Sequence, residues 1–122
     1  MEKNKLKRKE IPLYNGLIKY FPDALCEVAR VSYIGSKQHH PDEDLHWDRE
    51  KSRDDLDALM RHLMENGMHD IDGARHSAKI AWRALAHLQK EIEEDKVRDE
   101  QWKLEQYNRN RLPHDQIISG TE

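Results

Sequence analysis

The chain has 122 residues, 36% hydrophobic and 37% charged, so an isolated subunit would bury only a modest core, and one domain completed by oligomerisation is expected. A formal net charge of −3 with opposite signs interspersed excludes a general nucleic-acid-binding surface and leaves room only for local phosphate sites. Cys26 is the single cysteine, which excludes an intrachain disulfide, and no apolar run reaches membrane-spanning or signal-peptide form, so a cytoplasmic protein without membrane contact is expected.

Residues 1–10, MEKNKLKRKE, read as a flexible, solubilising basic tail. The stretch IPLYNG at 11–16 combines apolar residues with turn chemistry and suggests an arm that packs on the domain or on a neighbouring subunit. Pro22 suits a first helical position, and Leu25, Val28, Ala29 and Ser32 share one face of the helix it opens, which should stop near Gly35. Residues 36–51, SKQHHPDEDLHWDREK, are too polar and irregular for a buried element. His39, His40 and His46 lie there among acidic residues, and Trp47 is either the anchor that pins the loop or a stacking platform for a base.

Ser52 followed by Asp55 gives a start resembling a capping box, Leu56, Leu59, Met60, Leu63 and Met64 complete a helical stripe, and Gly67 ends it. His62 lies beside that stripe, as a satisfied boundary histidine or as a ligand facing a cleft. After a connector carrying Asp70 and Asp72, a helix over 73–95 sets Ala74, Ala78, Ala81, Trp82, Leu85, Leu88 and Ile92 on one face. His76, Lys79, Arg83, His87 and Lys90 gather on the other, a row that any solvated face could show but that is uniformly cationic where Glu would have served the helix as well. Beyond Ile92 charge dominates, with Trp102, Leu104 and Tyr107 interspersed, suggesting a projecting helix that ends at Pro113 before a loose tail.

The fold class expected is all-α: a small bundle of three to four helices with a long polar loop. Its parts would be a tail at 1–10, a helical domain at 11–94 that carries the candidate phosphate site and a charged C-terminal helix and tail at 95–122. The histidines and carboxylates flanking the connector, next to the cationic row, are the pattern that holds a polyanion through a divalent cation. His62, Asp70, Asp72 and His76 are the expected ligands of Mg²⁺ or Mn²⁺, mixed imidazole and carboxylate donors favouring Mn²⁺. Lys79, Arg83 and Arg61 would stabilise charge developing on phosphates, while Lys37, His39, His46, Trp47 and Lys51 would contact the substrate.

Several ordered blocks carry a family resemblance: YNGLIKYFPDAL (14–25), VARVSYIG (28–35), LHW (45–47), RHL (61–63), DID (70–72) and HSAKIAWRAL (76–85). Over residues 11–94 the chain resembles the phage-associated dATP/dGTP diphosphohydrolase N-terminal-domain family. The resemblance implies hydrolysis of a purine deoxynucleoside triphosphate to monophosphate and pyrophosphate, in a phage-directed reshaping of the nucleotide pool. All-helical pyrophosphohydrolases of the MazG type present ExxE and then ExxD on facing helices, whereas here Glu91-x-x-Glu94 lies late and no ExxD follows, so a metal falls to the His/Asp set. A non-catalytic protein that sequesters a signalling nucleotide would use the same cationic row without metal, and a purely structural module would use neither.

Overall fold

The computed structural model of the chain describes residues 4–50 and 53–119, with side chains to residue 111. Helix α1 spans Lys5–Arg8, a π-helical turn spans Tyr14–Ile18, and α2 (Pro22–His39), α3 (Asp55–Met64) and α4 (His76–Ser119) follow. Among the described residues there is no strand, only an isolated bridge between His69 and Arg75, so the fold is all-α. No helix among them is long and apolar enough to cross a membrane. The chain forms two compact units, Met1–Leu85 and Ala86–Glu122.

The segment expected as tail contains the short helix α1. Asn4 caps α1, its Oδ1 accepting from the Leu6 and Lys7 N–H groups at 2.9 and 3.3 Å. In the turn that follows, the Gly16 N–H donates to the Pro12 carbonyl at 2.6 Å, and a Cβ on Gly16 would stand 2.9 Å from Pro12 Cγ, so only glycine fits.

Helix α2 starts at Pro22 as expected but does not stop at Gly35. It continues to His39, and the His40 N–H closes it on the Ser36 carbonyl at 2.7 Å. Glycine permits a left-handed stop without imposing one, and burial of Ser36 holds the following turn in place. Helix α3 begins at Asp55 with no side-chain bond from its cap Asp54. The expected cap Ser52 lies outside the described residues, and the Asp55 side chain instead accepts from Arg83. Gly67 follows the helix at φ +96°, the left-handed conformation of a helix-ending glycine.

Helix α4 starts at His76 rather than at residue 73, because residues 70–75 close a tight turn. The Asp70 N–H donates to the Ala74 carbonyl (2.7 Å), the Gly73 N–H to the Asp70 carbonyl (2.9 Å) and the Ala74 N–H to Asp72 Oδ1 (3.0 Å), with Gly73 at φ +89°. At its far end the helix runs to Ser119, past Pro113 and through most of the expected tail. Proline forfeits one backbone hydrogen bond, and a long helix bends past that loss as well as stopping at it.

In the first unit the buried apolar residues are Ala58, Ala74 and Ala78. Small side chains let α3 and α4 approach closely enough for their polar groups to meet. The larger residues expected as core behave differently: Leu56, Met60, Leu63 and Leu85 stay about half exposed, so the small core foretold by composition is observed. Trp82 is better covered, its indole Nε1–H donating to Ser32 Oγ of α2 at 2.7 Å and its ring meeting Trp47 edge-on at 5.5 Å. In the second unit α4 is an exposed, charge-rich helix with local pairs such as Gln89 to Glu93 (2.8 Å), and Trp102, Leu104 and Tyr107 are exposed along it.

Candidate functional site

The α3–α4 connector brings two histidines and two carboxylates together. His62, on the last turn of α3, and His76, the first residue of α4, place their Nδ1 atoms 2.9 Å apart, and one carboxylate oxygen of Asp70 completes a set of three donors within 4.8 Å. His76 is buried, 4% exposed, and its Nε2 lies 3.3 Å from Glu65 Oε2. An Nε2–H donated to Glu65 leaves the His76 Nδ1 lone pair facing His62 and Asp70, the arrangement in which an outer carboxylate orients a metal-binding imidazole. Burial pushes the His62 imidazole below its ordinary value, and the Lys79 ammonium adds to this while Asp70 opposes it, so His62 is neutral at neutral pH.

Lys79 sits one turn into α4 with its side chain 15% exposed, and its ammonium is shared between Asp70 Oδ2 (2.7 Å) and Asp72 Oδ2 (2.6 Å). The hydrogen bond from Lys79, seconded by the Ile71 N–H, holds Asp70 below the usual carboxylate range. Burial alone would raise Asp72, but Lys79 and the Ala74 N–H outweigh it and lower that group too. Burial would likewise lower Lys79, yet its two carboxylate partners raise it. Asp72, expected as a metal ligand, does not join the donor set: its oxygens accept from Ala74, Lys79 and Gln38, which fixes the connector instead. Lys79, expected to face phosphate, is held by the two acids.

One turn further along α4, the Arg83 guanidinium donates to Asp55 Oδ1 at 2.9 Å, and that carboxylate is only 6% exposed. Arg83 also lies over the Trp82 ring, 5.4 Å from its centroid. Arg61 donates to Asp54 at 3.2 Å on an exposed surface and holds that carboxyl below its ordinary value, and Arg83 lies 4.0 Å from the same carboxylate.

The polar loop after α2 forms a second cluster. His40 Nδ1 lies 2.8 Å from Glu43 Oε2 and its Nε2 contacts Asp48, while His46 Nδ1 lies 3.0 Å from the Asp44 carbonyl and its Nε2 lies 3.4 Å from Asp48 Oδ1. The contact with the Asp44 carbonyl raises the His46 imidazole, and with the charges of Asp48 and Glu43 it outweighs the opposing effect of burial. Trp47 turns its ring to Trp82 and carries Arg49 over its face at 4.7 Å, so the loop is pinned to the helices through an aromatic pair.

Between these walls lies a cleft of about 750 Å³, within the roughly 300–1,000 Å³ range of small-molecule sites. His62, Asp72, Lys79 and Arg83 line one wall, His39, His40, His46, Trp47 and Asp48 another, with Trp82 and the α2 face of Ser32, Gly35 and Ser36 between. His62 therefore faces the cleft, and Asp70 and His76 stand behind it. Of the other expected contacts, Lys37 is exposed and directed at the Pro41 carbonyl (3.4 Å), Arg61 is not among the lining residues, and Lys51 lies outside the described residues. Sequence reasoning missed His40 and Asp48 as a unit with His46, and Glu65 as the partner of His76. The signal available for the first was the run HHPDEDLHWD, in which histidines alternate with acids within one short loop.

Residues 2–100 match the family described as dATP/dGTP diphosphohydrolase, N-terminal. No curated protein and no solved structure matches the chain. A match over most of the chain, covering both walls of the cleft, assigns this protein to the dATP/dGTP diphosphohydrolase N-terminal family.

Proposed function

We propose that the cleft hydrolyses a purine (deoxy)nucleoside triphosphate to its monophosphate and pyrophosphate, with Mg²⁺ or Mn²⁺ held by His62, Asp70 and His76. The observation that carries this reading is the convergence on one cleft of a neutral imidazole, the ionised Asp72 carboxylate, a guanidinium and two indoles. The donor set suits a divalent ion. Two nitrogens 2.9 Å apart match neighbouring ligands of an octahedral ion, whose donors at ~2.1 Å lie about 3 Å from each other, and Glu65 supplies the outer partner such a histidine needs. When bound, the ion would neutralise phosphate charge and lower the pKa of a coordinated water.

The protein's own groups do the remaining work. Lys79 keeps Asp70 and Asp72 ionised and locks the connector, so that His76 Nδ1 and the Asp70 carboxylate are presented together. His62, held neutral by burial, offers a lone pair at Nδ1 that can bind or accept a proton. Arg83, clamped by Asp55 and laid over Trp82, puts positive charge on the cleft wall opposite the histidine loop, suited to oxygens of the phosphate chain. Trp47 and Trp82 supply aromatic surface for the base, and His39 and His46 border the same opening.

This reading places the reaction in phage-directed reshaping of the nucleotide pool in a host cytoplasm, by a homo-oligomer that covers the half-exposed apolar stripes. Metal-stripped protein incubated with dGTP, dATP and other nucleotides plus Mn²⁺ should release pyrophosphate and monophosphate, and Asp70→Asn should abolish the release. Failure to turn over any triphosphate overturns the proposal.

One observation favours a second reading, a non-catalytic nucleotide-binding protein: Lys79 already neutralises the connector carboxylates without a metal. Calorimetry in EDTA separates the two. Tight binding with the nucleotide recovered intact supports sequestration, and binding that requires a divalent ion supports hydrolysis.

A further inference from the structure

The histidine loop presents a chemistry that its hydrogen-bond partners do not complete. All four ring nitrogens of His40 and His46 face oxygen acceptors: Glu43 Oε2 and Asp48 Oδ2 around His40, the Asp44 carbonyl and Asp48 Oδ1 around His46. Two neutral imidazoles bring only two N–H donors to these four contacts. With the rings 4.3 Å apart, making both cationic would set two like charges side by side.

The arrangement has a consistent direction. In each histidine Nδ1 is directed at an acceptor within the loop, at 2.8 Å for His40 and 3.0 Å for His46, and in each Nε2 is directed at the one carboxylate of Asp48. Donating Nδ1–H to Glu43 and to the Asp44 carbonyl fixes both rings in the tautomer with its lone pair on Nε2, and those lone pairs then converge on an anion. Metal-ligating histidines are held in this way, the nitrogen not on the metal donating to a carboxylate or a backbone carbonyl. The donor atoms of His40, His46 and Asp48 all lie within 4.8 Å of one another.

We propose that His40, His46 and Asp48 form a second divalent-cation site, distinct from the His62 set, that takes an ion of the zinc type through two Nε2 atoms and one carboxylate oxygen. Two imidazoles and a carboxylate are donors that zinc and its neighbours accept, and three protein ligands leave a fourth position. All three residues line the cleft, so that position is open to water or to an anionic oxygen of a bound ligand. The ion also ties His40, at the end of α2, to the residues flanking Trp47, and so fixes the loop wall. The site stands or falls independently of triphosphate hydrolysis.

The full chain, stripped with EDTA, is titrated with Zn²⁺ by calorimetry and with Co²⁺ by visible absorption, which reports the ligand field directly. The wild type and His76→Ala should both bind an equivalent that His46→Ala and His40→Gln lose, with each variant's fold checked by circular dichroism. Glu43→Gln, which touches only the outer shell, should weaken that equivalent by roughly 10- to 100-fold. Loop variants that bind as many equivalents as the wild type, loss of the same equivalent from His76→Ala, or no binding by the wild type would each overturn the site and leave the two rings as partners of the loop acids alone.

Discussion

The two walls of the cleft hold the same donors, two histidines and an aspartate, but are built by different means. The connector set joins residues far enough apart in sequence, His62 to His76, that α3, a glycine turn and α4 must all be in place, and it is backed by a lysine held between two acids. The loop set is drawn from residues 40–48, its partners are two to eight positions apart, and the side chains of His40, His46 and Asp48 are 20–38% exposed. The comparison teaches that one arrangement belongs to the fold and will change when the fold is perturbed, whereas the other is local to a single loop.

The connector can be broken most directly at Lys79. Lys79→Met leaves Asp70 and Asp72 partly buried without their counter-charge, and urea denaturation should show a loss of about 2–3 kcal/mol, short of the 3–5 typical of fully buried pairs. The pH dependence sharpens this. Asp70 and Asp72 lie below their ordinary value of 3.8 in the fold, so their contribution is present above that pH and fades as pH falls through the lowered values. Lys79 lies above 10.5, so its contribution is present below that pH and fades as pH rises through the raised value. The stability gap between wild type and Lys79→Met should therefore be flat between about pH 5 and 9 and narrow on both sides. A gap that keeps widening below pH 4 would show that the carboxylates do not depend on Lys79.

How far each wall was legible in sequence follows from the same contrast. The 3.6-residue stripes, Pro22 and Gly67 located α2 and α3, and a short connector between two helices was enough to bring His62, Asp70 and His76 to one place. The pairing of Lys79 with Asp70 and Asp72 was not legible, because on a helical wheel Lys79 sits in a solvent-like cationic row, and only the turn at Gly73 folds the acids back over it. The end of α2 was misread at Gly35 and that of α4 at Pro113, since both residues permit a stop that packing and helix propagation can override. The loop has no periodicity at all, so its histidines could be noticed but not paired, and Asp48 gave no sign that both Nε2 atoms would turn to it.

The turn itself is the next test. Gly73 has φ +89° with nothing within 4 Å of an added Cβ, so Gly73→Ala meets no clash and pays only for its left-handed backbone. A loss of about 1–2 kcal/mol is expected, and nuclear magnetic resonance should show the His62 and His76 ring signals shifting while those of His40 and His46 stay in place. Equal movement of all four rings would mean the walls are mechanically coupled, and the distinction between a fold-built set and a local one would lapse.

The smallest effect belongs to the loop. In EDTA, His46→Ala removes one exposed imidazole and its contacts with Asp44 and Asp48, and solvent screening leaves exposed pairs of this kind with little effect on stability. Thermal unfolding should hardly change. The same comparison repeated with saturating Zn²⁺ should open a difference, because an ion bound only to the folded loop stabilises wild type in proportion to the logarithm of its concentration over its dissociation constant. A variant as stable as wild type under both conditions would show that the loop wall gains nothing from a cation, whereas a large loss already in EDTA would show that His46 is as much part of the fold as Lys79.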